Sequence, residues 1–322
     1  MRQVLASPFY KSGLSFRWKK QSNVIAMLKR IIFGLLLIAA LAVVIVLDCL
    51  MEQRGVLKIP VAGVLKGTVI TAVVLLLISM CYRELSRIFV AGGHPDLGGV
   101  GLICTLMVAS LPFWWQVVPA EIVRHAGPSL VVLLLTVVVL VIFIEHVIRF
   151  RTNNIISRIG GTMLAVSYLG FGGAMVLSIR IDFGIIAFTM FLVAVKTADI
   201  GAYFAGSVVG KHKLIRWLSP AKSWEGLLGG VVFSVISTVL FTIIVRSLGK
   251  SHIGISLAAI VLYAVVLALF GQLADLCESA LKRDAKVKDA GDVIPTFGGV
   301  LDVLDSPLLA APAGYVLFMI LW

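Results

Sequence analysis

Charge is scarce in this sequence. Asp, Glu, Lys and Arg together make up 14% of its 322 residues, while apolar types make up 60%. A soluble domain carries roughly a quarter of its residues charged, so so little polar surface excludes a water-soluble globule. Acidic residues are the rarer sign, 16 against 28 basic ones. Cysteine is rare too: Cys49, Cys81, Cys104 and Cys277 are scattered without metal-ligand spacing, and most sit in or near apolar runs where a thiol acts as a small apolar group. The apolar runs lack the period-two alternation of barrel strands, and the connections between them are too short for a soluble domain. What remains is an all-α, polytopic membrane protein, because helices satisfy their own backbone in hydrocarbon.

Nine runs are long enough to be read as spans: about 31–47, 61–81, 99–119, 128–148, 160–179, 183–206, 227–246, 254–276 and 306–322. The last is short and carries Pro307 and Pro312. Basic residues before the first run and Ala40-Leu41-Ala42 within it resemble a secretory signal, but a cleavage site inside the apolar run reads better as a retained anchor. The expected organisation is a basic arm over 1–30, N-terminal spans over 31–180, and a catalytic membrane region over 181–322 with its signature segment at 275–306.

The net charge of +12 raises nucleic acid as a partner. The placement of the charge answers otherwise. With the N-terminus inside, 20 of the 28 basic residues fall on one side of the membrane and six on the other, leaving Lys66 and Lys196 within spans. That is the positive-inside pattern of a cytoplasmic face, so no nucleic acid is needed and the basic arm meets anionic membrane lipids. A bacterial inner membrane is the expected location, with the N-terminus and the charged segments cytoplasmic.

Polar residues interrupt the apolar runs at three places. In KTADIGAYFAG, Lys196 and Asp199 lie one helical turn apart at membrane depth, where charges either pair to lock helices or line a polar cavity. Gly201, Ala202, Ala205 and Gly206 would let another helix approach closely. The island GKHKLIRWLSPAKSWEGLLGG places Ser219-Pro220 and Ser223 with Glu225 where helix-start chemistry is expected, and Lys222 beside a helix N-terminus makes a plausible anion site. The glycine pairs Gly160-Gly161, Gly172-Gly173 and Gly229-Gly230 suit close packing within one subunit or in a homodimer.

The third place is the most informative. The run Ile255–Phe270 turns polar as GQLADLCESALKR, and at 100° per residue Asp275, Ser279, Lys282 and the flanking Glu278 share one face. The chain then passes through KVKDAGDVIPTFGGVLDVLDS, where the pair Gly298-Gly299 marks irregular backbone whose N–H groups could approach phosphate oxygens. Asp302 and Asp305 follow at a spacing of three. Carboxylates on two elements with basic residues between them suit Mg²⁺ bridging to phosphate, one ion or two. A solvated helix end with capping aspartates would explain some of these charges but not all.

These residues resemble a known signature. Ser279-Ala-Leu-Lys-Arg, then Lys288-Asp289, Ile294-Pro295, Gly298-Gly299, Leu301-Asp302 and Asp305-Ser306 are similar to the phosphatidate cytidylyltransferase (CDP-diacylglycerol synthase) family, with SPAKSWEG, Asp199-Ile-Gly-Ala-Tyr203 and Gly210-Lys-His212 as its other characteristic region. The resemblance covers roughly residues 196–306. It implies an enzyme that joins CTP and phosphatidate with Mg²⁺, Asp275 and Asp302 being metal ligands. It also implies Lys282, Arg283, Lys288 and Asp289 at the nucleotide and phosphate site, with Asp305 close by; Asp199, Lys222, Ser223, Ser279, Gly298, Gly299 and Asp305 are the expected substrate-binding residues. Phe297 and Val303 stand where the family often has His and Arg, which bears on substrate preference. A CTP-dependent lipid kinase, a cytidylyltransferase for a related lipid phosphate, a transporter using Lys196 and Asp199, and an inactive scaffold are the competing readings.

Overall fold

The protein is described by a computed structural model that covers residues 33–56, 58–59, 63–249, 255–294 and 298–321. The basic arm, Lys250, Pro295 and Phe297 lie outside the described residues. Helix α1 (Phe33–Arg54) leads through a two-stranded hairpin, β1 (Lys58–Ile59) and β2 (Gly63–Val64), to α2 (Thr68–Ala91). Next come α3 (Gly99–Trp115), α4 (Ala120–Phe150), α5 (Ile155–Ala165), a π-helical turn at Val166–Phe171, and α6 (Gly172–Val209). A second hairpin, β3 (Lys213–Ile215) with β4 (Ser219–Ser223), precedes α7 (Trp224–Ser247), α8 (Leu257–Asp284) and α9 (Leu301–Leu321).

Seven of the described helical stretches are long and apolar enough to cross a membrane, making this an all-α polytopic membrane protein. The nine expected runs map onto them with two differences. The runs at 160–179 and 183–206 belong to one 55-residue helical stretch, Ile155–Val209, which leaves helical geometry at Gly184 with φ +85°. The run at 99–119 shortens to the 17-residue α3, about 26 Å long and less than the hydrocarbon thickness.

Helices α6, α7, α8 and α9 form the densest part of the bundle, around buried Phe191, Val195, Tyr263, Leu267, Ala311 and Phe318. Small residues let α6 and α7 touch: a Cβ on Gly229 would lie 2.2 Å from the Ala205 Cβ, and one on Gly230 would lie 2.8 Å from the Ala198 carbonyl oxygen. A second core joins the two halves, with Ile78, Leu85 and Ile88 of α2 packing on Ala285, Ala290, Val300 and Leu301. The segment between α8 and α9 is therefore anchored on α2. At the other end of the bundle, buried Arg180 donates to Asp48 at 2.8 Å and to Glu52 at 2.5 Å. The second Asp48 oxygen accepts the N–H groups of Val69 and Ile70, which opens α2 and ties three helices together.

Candidate active site

Helices α8 and α9 run antiparallel and face each other with their charged residues. Spacings of three and four put Asp275, Glu278 and Lys282 on one stripe of α8. The stripe meets Asp302, Asp305 and Ser306 in the first turns of α9. Lys282 donates to Glu278 at 2.8 Å and to Asp302 at 2.6 Å. Two turns deeper, the Ser306 hydroxyl donates to Asp275 at 2.7 Å, with Asp305 and Asp199 oxygens 3.2 and 3.4 Å from the same hydroxyl. One hydroxyl thus gathers three carboxylates.

Lysines from other elements reach into this arrangement. Lys222, at the end of β4, donates to Asp275 at 2.8 Å and to the Gln272 carbonyl at 3.1 Å. Lys196 on α6 donates to Asp199 at 2.9 Å and to the Val303 carbonyl at 2.7 Å. That carbonyl is available because the residue four positions on is Pro307, which has no N–H to close the helical bond. Lys196 and Asp199 therefore pair with each other, Lys196 ties α6 to α9, and Asp199 alone of the two lines the neighbouring cavity.

Five carboxylates (Asp199, Asp275, Glu278, Asp302 and Asp305) meet three ammonium groups (Lys196, Lys222 and Lys282) here. Counted with every group ionised, acids exceed lysines by two. Glu278 is 3% exposed, and its Oε1 is buried without a hydrogen-bond partner among the described residues. Burying unpaired carboxylate charge is costly. A hard divalent cation with oxygen ligands fits such a donor set, although no three His, Cys, Asp or Glu side chains among the described residues stand ready to enclose one. A cavity of about 390 Å³ opens beside the cluster, lined by Asp199, Tyr203, Lys222, Ser223, Gln272 and Asp275.

The segment leading into α9 is built around Asp302 and Glu84. Asp302 accepts the N–H groups of Gly299 at 2.7 Å and Ala290 at 3.0 Å. Gly298 adopts φ +100°, and a Cβ there would sit 2.6 Å from an Asp302 oxygen. Its N–H goes to the Ile294 carbonyl at 3.0 Å. Both glycine N–H groups are thus engaged by the protein, which differs from the expectation that they face a phosphate; here the pair lets the backbone wrap the Asp302 carboxylate. Glu84 of α2, 2% exposed, accepts the N–H groups of Val300 at 2.9 Å and Leu301 at 2.8 Å, satisfying the start of α9.

Other expected site residues stand further out. Ser223 caps α7 by accepting the Gly226 N–H at 3.1 Å. Ser219-Pro220 belongs to β4 instead of a helix start, its backbone pairing with β3. Glu225 folds back onto the N–H groups of Lys211 and His212 and the His212 ring. Arg283 donates to the Leu218 carbonyl at 3.3 Å, holding the hairpin against α8. Lys288 and Asp289 are exposed and do not line the cavity, and Ser279 is half-buried with no hydrogen bond among the described residues. Glu84 was not anticipated: an acid near the end of an apolar run reads as an interfacial charge, and its partners lie 216 and 217 residues away.

The model of the cytidylyltransferase family matches residues 28–321. The phosphatidate cytidylyltransferase of Bacillus subtilis (strain 168) is 29% identical over 213 residues, covering 66% of this chain and 77% of that protein. That of Thermotoga maritima is 34% identical over 169 residues, 52% of this chain and 62% of its own length. That of Staphylococcus aureus (strain COL) is 33% identical over 191 residues, 59% and 71% respectively.

Proposed function

The chain belongs to the cytidylyltransferase family, and we propose that it joins CTP to phosphatidate in the groove between β4, α6, α8 and α9, giving CDP-diacylglycerol and pyrophosphate. The observation that carries this reading is the acid-rich, lysine-studded facing of α8 and α9 beside an open cavity. Asp275 and Asp302 would hold Mg²⁺, one ion or two, with Asp305 and Asp199 beside Asp275, and bound Mg²⁺ would neutralise phosphate oxygens and the leaving group. Lys222 and Lys282, already steered by carboxylates and backbone carbonyls, bind phosphate oxygens; Arg283, Lys288 and Asp289 complete the solvent-facing rim.

An ionised oxygen of the lipid phosphate attacks the α-phosphorus of CTP. One phosphorus–oxygen bond forms as the bond to pyrophosphate breaks, and pyrophosphate leaves with the electron pair. A phosphate monoester is ionised near neutral pH, so no side chain needs to remove a proton from it. The work of the protein is to hold the two anions together and to neutralise them. We place this end of the bundle on the cytoplasmic side of a bacterial inner membrane, in keeping with the distribution of basic residues.

The test is CMP transfer from labelled CTP to phosphatidate by the purified protein, with both products identified. Asp302→Ala and Asp275→Ala are expected to lower turnover by about 10²–10³-fold. Wild-type turnover in either variant rejects the role given to that carboxylate. Release of CDP in place of pyrophosphate would make the protein a lipid kinase.

A further inference from the structure

A second basic cavity lies on the same end of the molecule, outside the groove. It measures about 570 Å³ and is lined by Arg83, Ser86, Arg87, Asp96, Gly99 and Leu102 among others, between the end of α2 and the start of α3. Arg83 and Arg87 are one turn apart, both exposed, and neither forms an ion pair among the described residues. The one acid in the lining, Asp96, is already engaged: one oxygen accepts a hydrogen bond from the Ser86 hydroxyl of α2 and the other accepts the Gly98 N–H at 3.4 Å. Tyr82 fixes the same loop by donating to the Leu97 carbonyl at 3.0 Å.

Two further observations converge on this cavity. Helix α3 starts there at Gly99, after Gly98 at φ +73°, with no side chain capping it and open space where a Gly99 Cβ would be. The uncapped N-terminus of a 17-residue helix therefore lines the same cavity as the two arginines. Running on from Gly99, the exposed side chains Ile103, Met107 and Trp114 fall within about 40° of one another and about 80° of Gly99 along α3. On α2, exposed Leu76 continues the face of Arg83 and Arg87. The cavity thus opens onto an apolar strip pointing into the membrane.

We propose that this cavity binds the phosphodiester headgroup of an anionic phospholipid, with Arg83 and Arg87 on the phosphate and an acyl chain along the α2–α3 strip. Two guanidiniums less one carboxylate leave a single positive charge, which matches a phosphodiester with one negative charge. The apolar strip selects a lipid over a free phosphate. Binding here is separate from cytidylyl transfer and does not rest on it.

Native mass spectrometry of the full-length protein in detergent, titrated with dioctanoyl phosphatidylglycerol, tests the assignment. One saturable site is expected, weakened about fivefold by R83Q or R87Q and about 25-fold by both. Unfolding midpoints within a degree or two of wild type certify the variants, since both side chains are exposed, and R83K is expected to keep most of the affinity. Unchanged phosphatidylglycerol affinity in the double variant overturns the proposal. Equal competition by inorganic phosphate, or equal binding of dioctanoyl phosphatidylcholine, overturns the assignment of an anionic lipid.

Discussion

The two ends of this bundle each bury a cluster of charges, and the clusters are built on opposite plans. At one end, Arg180 and Asp48 are each 1% exposed, and Glu52 completes the pair at 2.5 Å. Every charge there has a partner, since the spare Asp48 oxygen closes the start of α2. At the other end, five carboxylates share three lysines beside an open cavity, and one buried Glu278 oxygen has no partner among the described residues. A cluster of the first kind, one arginine holding two acids with both Asp48 oxygens engaged, joins helices. An unbalanced, open one has room and charge for something from outside.

The contrast breaks first at Arg180. Arg180→Met would leave Asp48 buried and uncompensated, and is expected to cost about 3–5 kcal/mol, read as a lowered unfolding midpoint in detergent. Chelation sharpens the same contrast: excess EDTA is expected to stop CMP transfer and restored Mg²⁺ to recover it, while the Arg180 end gains nothing from the ion. A rise in unfolding midpoint with Mg²⁺ should appear in wild type and vanish in Asp302→Asn; an equal rise in both would show that the ion binds elsewhere.

Smaller effects follow from the caps. Glu84→Gln exchanges one acceptor oxygen for a donor and leaves the Val300 or Leu301 N–H unsatisfied, costing about 1–3 kcal/mol. Because those N–H groups start the helix that carries Asp302, turnover should fall along with the midpoint. Unchanged turnover would show that the start of α9 does not need this cap. Ser223→Ala removes one N-cap bond from α7 and should cost about 1 kcal/mol with a modest effect on activity.

The apolar runs made the helical spans legible before any coordinates, because hydrocarbon thickness and backbone satisfaction leave few alternatives. The stripe Asp275, Ser279, Lys282 with flanking Glu278 was legible for a similar reason, since helical period alone aligns it, but Ser279 takes no part in the contacts with α9. Ser219-Pro220 was misread as a helix start because short polar residues serve turns, strand ends and caps alike. Continuity across Ile155–Val209 was hidden, since nothing in the local pattern says whether a glycine such as Gly184 ends a helix or bends it. Pairings such as Arg180 with Asp48 and Glu84 with the α9 backbone depend on tertiary contacts across more than a hundred residues, which no local period encodes. The role of Lys196 lay between: its charge was conspicuous, but its acceptor exists only because Pro307 opens a carbonyl on a different helix.

Glu84 has a consequence for traffic at the mouth of the groove. A negative group already sits on the start of α9, where an incoming polyphosphate would otherwise settle, so that doorway is occupied from within. The hairpin rim with Lys222 presents the opposite sign. In the proposed reaction the start of α9 would thus be closed to phosphate by an acid from another helix, leaving the Lys222 rim as the cationic side of the cavity.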